Sequence, residues 1–181
     1  GYMVVRQEVI VHASNYAVRD LTDIMGTAVH VRRGTSYETR LRELMDGGLD
    51  IELVLEDDVP TEELIRRVAE EEIPATVADS NIALLNRRYY PDAKITFSIS
   101  APQLIAWAMQ PESEALVNEV NSFLRSIRET ETYDRIYERY YDNVRVFDYF
   151  DTVVFHRRVA TRLPKYLEAI KREADRFHFD W

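Results

Sequence analysis

A short turn rich in small hydroxyl residues has the composition of an anion-binding site. It joins a predicted strand to a predicted helix and comprises Arg33, Gly34, Thr35, Ser36 and Tyr37. At such a position, backbone N–H groups and the positive end of the helix dipole converge on a negative group, and the arginine adds charge. The alternative is an ordinary Ser or Thr N-cap whose glycine only makes the turn. It is not a nucleotide phosphate loop, because the G-x-x-x-x-G-K-[ST] pattern is absent.

The second candidate is Asp79, which follows the apolar strand sequence ATVA and precedes another predicted helix. In open α/β sheets, ligands bind beyond the carboxyl ends of the strands, and the 33–37 turn also occupies such an end. A carboxylate there would hold an ammonium group, although an Asp N-cap is again the alternative. An anion site beside a cation acceptor suits a zwitterion, such as an amino acid.

The sequence gives no positive sign of catalysis by this chain. Its four histidines lack the spacing of metal ligands, and the absence of cysteine excludes thiol catalysis, thiolate zinc sites and disulfides. We therefore assign no catalytic residue, no metal site and no cofactor. The tyrosine-rich segment 133–141 resembles a sugar-stacking platform, but tyrosines at helical spacing also form packing surfaces.

Composition limits the class of protein. The chain has 181 residues, with 23 Lys+Arg against 32 Asp+Glu, a net charge of −9. This length suits one sizeable domain or two small lobes, and the acidic balance argues against binding to nucleic acid. The longest apolar run falls short of the roughly 18–20 residues of a membrane span. Because the first and last residues read as parts of structured elements, we expect a piece of a longer protein.

Strands and helices alternate along the first half of the chain. Strands are predicted at residues 4–13, 27–32, 51–55, 75–78, 94–99 and 104–109. Helices are predicted from Ser36, from Pro60 and from Asp79 through Tyr89. Short connections between alternating elements imply an α/β fold with a mostly parallel sheet covered on both faces.

The second half is predicted to be helical. Residues 116–127 carry an apolar stripe at helical spacing, and residues 133–141 carry a second one. Residues 147–150 have the aromatic composition of an extended connector. Two further helical stretches follow, with a break where proline occurs at position 164.

Three sequence segments, in the expected order, resemble the family 3 bacterial solute-binding proteins. They are DLTDIMGTAVHVRRGTSYE, ATVADSNIALL and TYDRIYERYY. Glu131 departs from the family, which commonly has glycine there. The resemblance implies a lobe of the type II periplasmic binding protein fold, and it places Asp79 and the residues 34–36 among the ligand contacts of the second lobe.

The C-terminal sequence FDYFDTVVFHRRVATRLPKYLEAIKREADRFHFDW resembles the membrane-bound lytic murein transglycosylases. In that family, a solute-binding-like module precedes a lysozyme-like catalytic domain with an essential glutamate, which this chain would lack. The resemblance implies that residues 14–98 are the second lobe. It implies that residues 1–13 and 99–143 are crossing strands and a first-lobe remnant, and that residues 144–181 connect to the catalytic domain.

The resemblance also implies a function. The chain would be a periplasmic regulatory module that senses an amino acid or a peptidoglycan stem peptide, within a parent enzyme attached to the outer membrane. The alternatives are an amino-acid receptor of an ABC transporter, a small dehydratase on the same fold, and an interaction module with a degenerate cleft. Because the stripe at 116–127 should face a largely missing first lobe, we expect the fragment to self-associate or its helices to refold.

Overall fold

The computed structural model describes residues 1–142, 149–177 and 179. The chain divides into two compact units, Gly1–Val144 and Arg145–Trp181. The candidate site residues all lie in the first unit.

A five-stranded sheet forms the centre of the first unit. Its strand order is β4-β3-β5-β2-β6. Strand β3 is parallel to β4 and β5, whereas β2 is antiparallel to β5 and β6. Every strand but β2 therefore runs in one direction, which confirms the mostly parallel sheet predicted from the sequence. The strands are β2 (Gln7–His12), β3 (Ala28–Arg32), β4 (Glu52–Glu56), β5 (Ala75–Asp79) and β6 (Ala93–Ser98).

Helices cover both faces of this sheet. One face packs Val9, Val11 and Val77 against Tyr37 and Leu41 of the first helix, all of them buried. The opposite face packs the intervening strand residues against the second and third helices, because successive side chains of a strand point to opposite faces. The helices are α1 (Ser36–Asp46), α2 (Thr61–Ala69) and α3 (Ser80–Asn86), with a 3₁₀ turn at Leu21–Ile24.

The start of α1 depends on the backbone of Gly34. This glycine has φ +77, a left-handed conformation that costs other residues about 1–2 kcal/mol. The turn lets the chain leave β3 and enter the helix at Ser36. Helix α2 starts at Thr61, directly after Pro60, with Glu62 and Glu63 in its first turn, where the helix dipole favours negative charge.

A second, smaller substructure completes the first unit. Strand β1 (Met3–Val5) pairs antiparallel with β7 (Gln103–Ile105). Helix α4 (Glu114–Arg128) and helix α5 (Glu131–Tyr137) follow, and α5 continues into a π-helical turn at Glu138–Asp142. Helix α4 has no buried residue: Leu116 is 54% and Phe123 53% exposed, whereas Val117, Val120, Leu124 and Ile127 are half-buried. Self-association of the chain, or refolding of its helices, remains a prediction.

Some sequence predictions were wrong in their boundaries. The predicted strand 4–13 is two strands that join different sheets, with Arg6 between them. The predicted strand 104–109 stops at Ile105, because its partner β1 has only three residues. Helix α3 ends at Asn86 rather than Tyr89, where the carbonyl of Asn86 accepts the Tyr89 N–H in a turn.

The second unit contains two helices, α6 (Tyr149–Arg162) and α7 (Pro164–Phe177). They separate at Leu163, which confirms the break predicted from the proline. Of the segment predicted as an extended connector, residues 147 and 148 lie outside the described residues, and residues 149 and 150 begin α6. Within the described part of the chain, no helix combines the length and apolarity needed to cross a membrane.

Candidate ligand-binding site

The two candidate loops lie at the same edge of the sheet. Strands β3 and β5 are parallel neighbours, so their carboxyl ends meet at one edge. The 33–37 turn follows β3 and Asp79 ends β5. The backbone N–H of Asp79 donates a hydrogen bond to the hydroxyl oxygen of Tyr37, at 3.1 Å. The structure thus brings one end of the turn into contact with the predicted cation acceptor.

Tyr37 is buried at the edge of this site, and its hydroxyl group does not ionise in the neutral pH range. Its ring belongs to the core beneath α1. Burial raises the pKa of Tyr37 to about 12, and the nearby Asp79 charge adds to the rise, while the Asp79 N–H partly opposes it. The hydroxyl therefore stays protonated and positions the end of β5.

Asp79 has an unpaired acceptor. Its Oδ1 is buried and has no hydrogen-bond partner in the part of the chain that the structure describes. The residue occupies the N-cap position of α3, but its side chain makes no capping hydrogen bond. Burial raises the pKa of Asp79, and hydrogen bonding to Tyr37 partly offsets this rise. A buried carboxylate oxygen without a hydrogen-bond partner is costly, and an ammonium group from outside would supply both a donor to Oδ1 and a compensating charge.

The 33–37 turn is partly occupied by a carboxylate of the protein itself. The N–H of Gly34 donates to Glu38 Oε2 at 2.8 Å. This backbone bond, followed by the bond from Arg42, lowers the pKa of Glu38. The turn can therefore bind a carboxylate. A ligand anion would either displace Glu38 or use the remaining N–H groups at the start of α1, which lack partners within the helix.

The hydroxyl groups and the arginine of the turn have other partners. Thr35 Oγ1 donates to the carbonyl of Arg32 at 2.7 Å, so it does not cap α1. Arg33 forms an exposed ion pair with Asp57, with Nε 2.6 Å from Oδ1. Asp57 raises the pKa of Arg33 through this hydrogen bond. Arg33 is thus engaged at the end of β4, away from the contact between Tyr37 and Asp79.

Sequence reasoning missed one residue of this cluster, Gln7. Its Nε2 donates to Ser36 Oγ at 3.1 Å, and its backbone pairs with Asp79 in the sheet register. The signal was present in the sequence QEVIV, where a glutamine begins the alternating series that continues with Val9 and Val11. The core face of β2 therefore turns polar at the position beside Asp79.

The architecture identifies the class of fold. The described chain resembles an ancestral arginine-binding protein bound to arginine, with TM-score 0.58, 21% identity, and coverage of 77% of this chain and 61% of that chain. It resembles the ancestral amino acid-binding protein AncCDT-1, a precursor of cyclohexadienyl dehydratase, with TM-score 0.63, 22% identity and coverage of 77% and 59%. The fold is that of the type II periplasmic amino-acid-binding proteins.

The sequence comparison identifies the relatives. The chain is 48% identical over 180 residues to the membrane-bound lytic murein transglycosylase F of Desulfosudis oleivorans. This match covers 99% of the chain but 40% of that relative, so the chain spans less than half of its length. No family model matches the chain. The chain is a homologue of part of the lytic murein transglycosylases F, which confirms the resemblance read from its motifs.

Proposed function

We propose that this chain carries half of a ligand-binding cleft in a sensory module that regulates a lytic murein transglycosylase. The ligand class is an amino acid or a peptidoglycan stem peptide. The observation that supports this proposal is the unpaired, buried Oδ1 of Asp79, next to the N-terminus of a helix at the carboxyl edge of the sheet. Ligands of open α/β sheets bind at such an edge.

Each end of a zwitterion has a complementary group here. The ammonium group would donate to the Asp79 carboxylate, forming a charge-assisted hydrogen bond. The carboxylate would lie over the start of α1, where Glu38 now accepts the N–H of Gly34 and where the helix dipole favours negative charge. Residues supplied by the remainder of the parent protein would close the other side of the cleft.

The regulatory role rests on the two kinds of similarity together. The amino-acid-binding structures cover 77% of the chain, whereas the transglycosylase covers 99% of it. The similarity to the transglycosylase thus extends over sequence that the binding-protein fold does not account for. A transport receptor would not need this extra sequence. We further propose that the module lies in the periplasm, in a parent held at the outer membrane, with the catalytic glutamate elsewhere in that parent and α6 and α7 leading towards it.

A ligand screen on the full-length parent tests this function. The purified protein is tested by thermal shift with the twenty amino acids and with the stem peptide L-Ala-γ-D-Glu-meso-diaminopimelate. A ligand at 100 times its Kd should stabilise the binding domain by about 2.7 kcal/mol. The same ligand should change the rate at which the parent digests isolated murein. A ligand that binds without altering digestion would contradict the regulatory role, and the absence of any binding would contradict the site.

The affinity for an ammonium ligand should fall on acidification. The pKa of Asp79 is raised above its ordinary value of 3.8, so the carboxylate that attracts the ligand becomes neutral as the pH falls through this raised pKa. Below it, Kd should rise about tenfold per pH unit, since one proton competes with the ligand. Calorimetric titration between pH 7 and pH 3, below the ordinary pKa of an aspartate, measures this. Tyr37, with a pKa of about 12, does not titrate in this range, and a Kd unchanged down to pH 3 would contradict the assignment.

A further inference from the structure

Gln7 is buried with one of its side-chain hydrogen-bonding groups unpaired. The residue is 1% exposed. Its Nε2 donates to Ser36 Oγ, while its Oε1 has no partner in the part of the chain that is described. Leaving a buried acceptor unpaired costs about 1–3 kcal/mol, and native proteins keep few such groups. An apolar residue at this position would avoid the cost, as Val9 and Val11 do further along the same face.

Gln7, whose Oε1 is unpaired, lies beside Asp79, whose Oδ1 is also unpaired. Gln7 and Asp79 are directly paired residues of neighbouring antiparallel strands, so their side chains project from the same face of the sheet. Ser36 holds the amide of Gln7, and the next residue, Tyr37, holds the backbone of Asp79. Gln7 and Asp79 are therefore neighbouring residues at the start of α1.

The backbone of Gln7 belongs to the connection between the two sheets. Its N–H donates to Ser100 Oγ at 2.9 Å, and its carbonyl accepts the N–H of Ile99 at 2.8 Å. The adjacent Arg6 carbonyl accepts the N–H of Ser80 at 2.8 Å, at the start of α3. Residues 6 and 7 thus join the two crossing segments and the helix that follows Asp79.

We propose that the side-chain amide of Gln7 is a ligand-binding group, whose Oε1 accepts a hydrogen bond from the ligand's ammonium group beside the Asp79 carboxylate. This inference rests on the proposed function and adds a contact from the crossing strand to it. An ammonium group has three N–H donors, and two neighbouring acceptors satisfy more of them than the carboxylate alone. Ligand binding would then hold the side chain of Gln7, the residue at which the chain passes from one sheet to the other.

Calorimetry on the full-length parent tests the contact, with the amino acids and the stem peptide of the thermal-shift screen as probes. Gln7→Leu should weaken the binding of the probe that binds wild type by about tenfold, because one hydrogen bond to a charged group is lost. The ligand-free Gln7→Leu protein should unfold at a temperature equal to or above that of the matched variant Gln103→Leu, because the unpaired acceptor is removed. Gln103 is an exposed glutamine of β7, and its replacement should leave Kd unchanged.

A second variant distinguishes a contact with the ammonium group from a contact with the ligand's carboxylate. Gln7→Glu keeps an acceptor beside the ammonium group and should bind the probe at least tenfold more tightly than Gln7→Leu. Weaker binding by Gln7→Glu than by Gln7→Leu would overturn the proposal, because it would mean that the amide donates to a ligand carboxylate. Equal affinity of wild type and Gln7→Leu would overturn it and leave the proposed function intact. If wild type binds no probe, the proposed function fails, and this inference fails with it.

Discussion

Replacing Asp79 with asparagine is expected to reduce ligand-dependent stabilisation to about a third of the wild-type value or less and to leave the ligand-free protein folded. Truncating or neutralising one partner of a buried charge pair costs about 2–5 kcal/mol of binding, which is roughly a 30-fold or greater loss of affinity. In a thermal-shift titration of the full-length parent, a ligand at 100 times the wild-type Kd should then stabilise the variant by about 0.9 kcal/mol or less, against about 2.7 kcal/mol for wild type.

Although Asp79→Asn should lose ligand affinity, the stability of the ligand-free protein should stay the same or increase. Because the folded state raises the pKa of Asp79 above 3.8, ionised Asp79 is unfavourable in the fold. The contribution of Asp79 to stability is present at pH values below 3.8 and is lost as the pH rises through the raised pKa. At pH 7, Asp79→Asn should therefore unfold at a temperature equal to or above that of wild type. Such a gain in stability with loss of function is common at binding sites.

A matched control separates loss of charge at the site from a general effect of removing an acid. Asp57 also follows a strand of the same sheet, but it is exposed and forms an ion pair with Arg33. Asp57→Asn should leave ligand binding unchanged. Wild-type binding by Asp79→Asn, towards every amino acid and stem peptide, would favour the degenerate interaction module over the sensor.

The sequence was sufficient to predict which residues lie at the carboxyl edge of the sheet, but not which side chains contact each other there. Strand–turn–helix patterns around Gly34 and Asp79 were sufficient to place both at carboxyl ends of parallel strands, because those rules depend only on local order along the chain. The contact between Tyr37 and Asp79 was not predictable from local order. It depends on β3 and β5 being adjacent, although α1, β4 and α2 lie between them in the sequence.

The partners of the charged side chains were also not predictable from the sequence. Arg33 was expected to add charge to the anion site, and it pairs with Asp57 of another loop. Gly34 was expected to offer its N–H to a ligand, and Glu38 accepts it. The sequence contains other acidic residues near Asp57 and Glu38. Which of these carboxylates binds Arg33 or Gly34 depends on side-chain geometry in the folded chain. Gln7 was missed because a single polar residue in an apolar strand is also compatible with an edge position.

Leu64→Ala is expected to cause a large loss of stability, whereas Leu116→Ala should cause little in the isolated chain. Leu64 is fully buried in the core between the sheet and α2, and truncating a buried leucine costs about 2–5 kcal/mol, since a cavity remains. Leu116 is 54% exposed on α4. Alanine is the better helix former, so the change there should stay within about 0.5 kcal/mol. Urea denaturation followed by circular dichroism measures both free energies of unfolding.

The size of the Leu116 effect also reports what covers the stripe of α4. If the chain self-associates through this stripe, the cost of Leu116→Ala should grow with protein concentration, because unfolding is then coupled to dissociation. If the rest of the parent protein covers the stripe, the substitution should cost about 2–5 kcal/mol in the full-length protein at any concentration, as for Leu64, because a buried leucine is then truncated. A small, concentration-independent cost in both proteins would mean that the stripe is solvent-exposed in each, and it would contradict the prediction that this surface packs against another one.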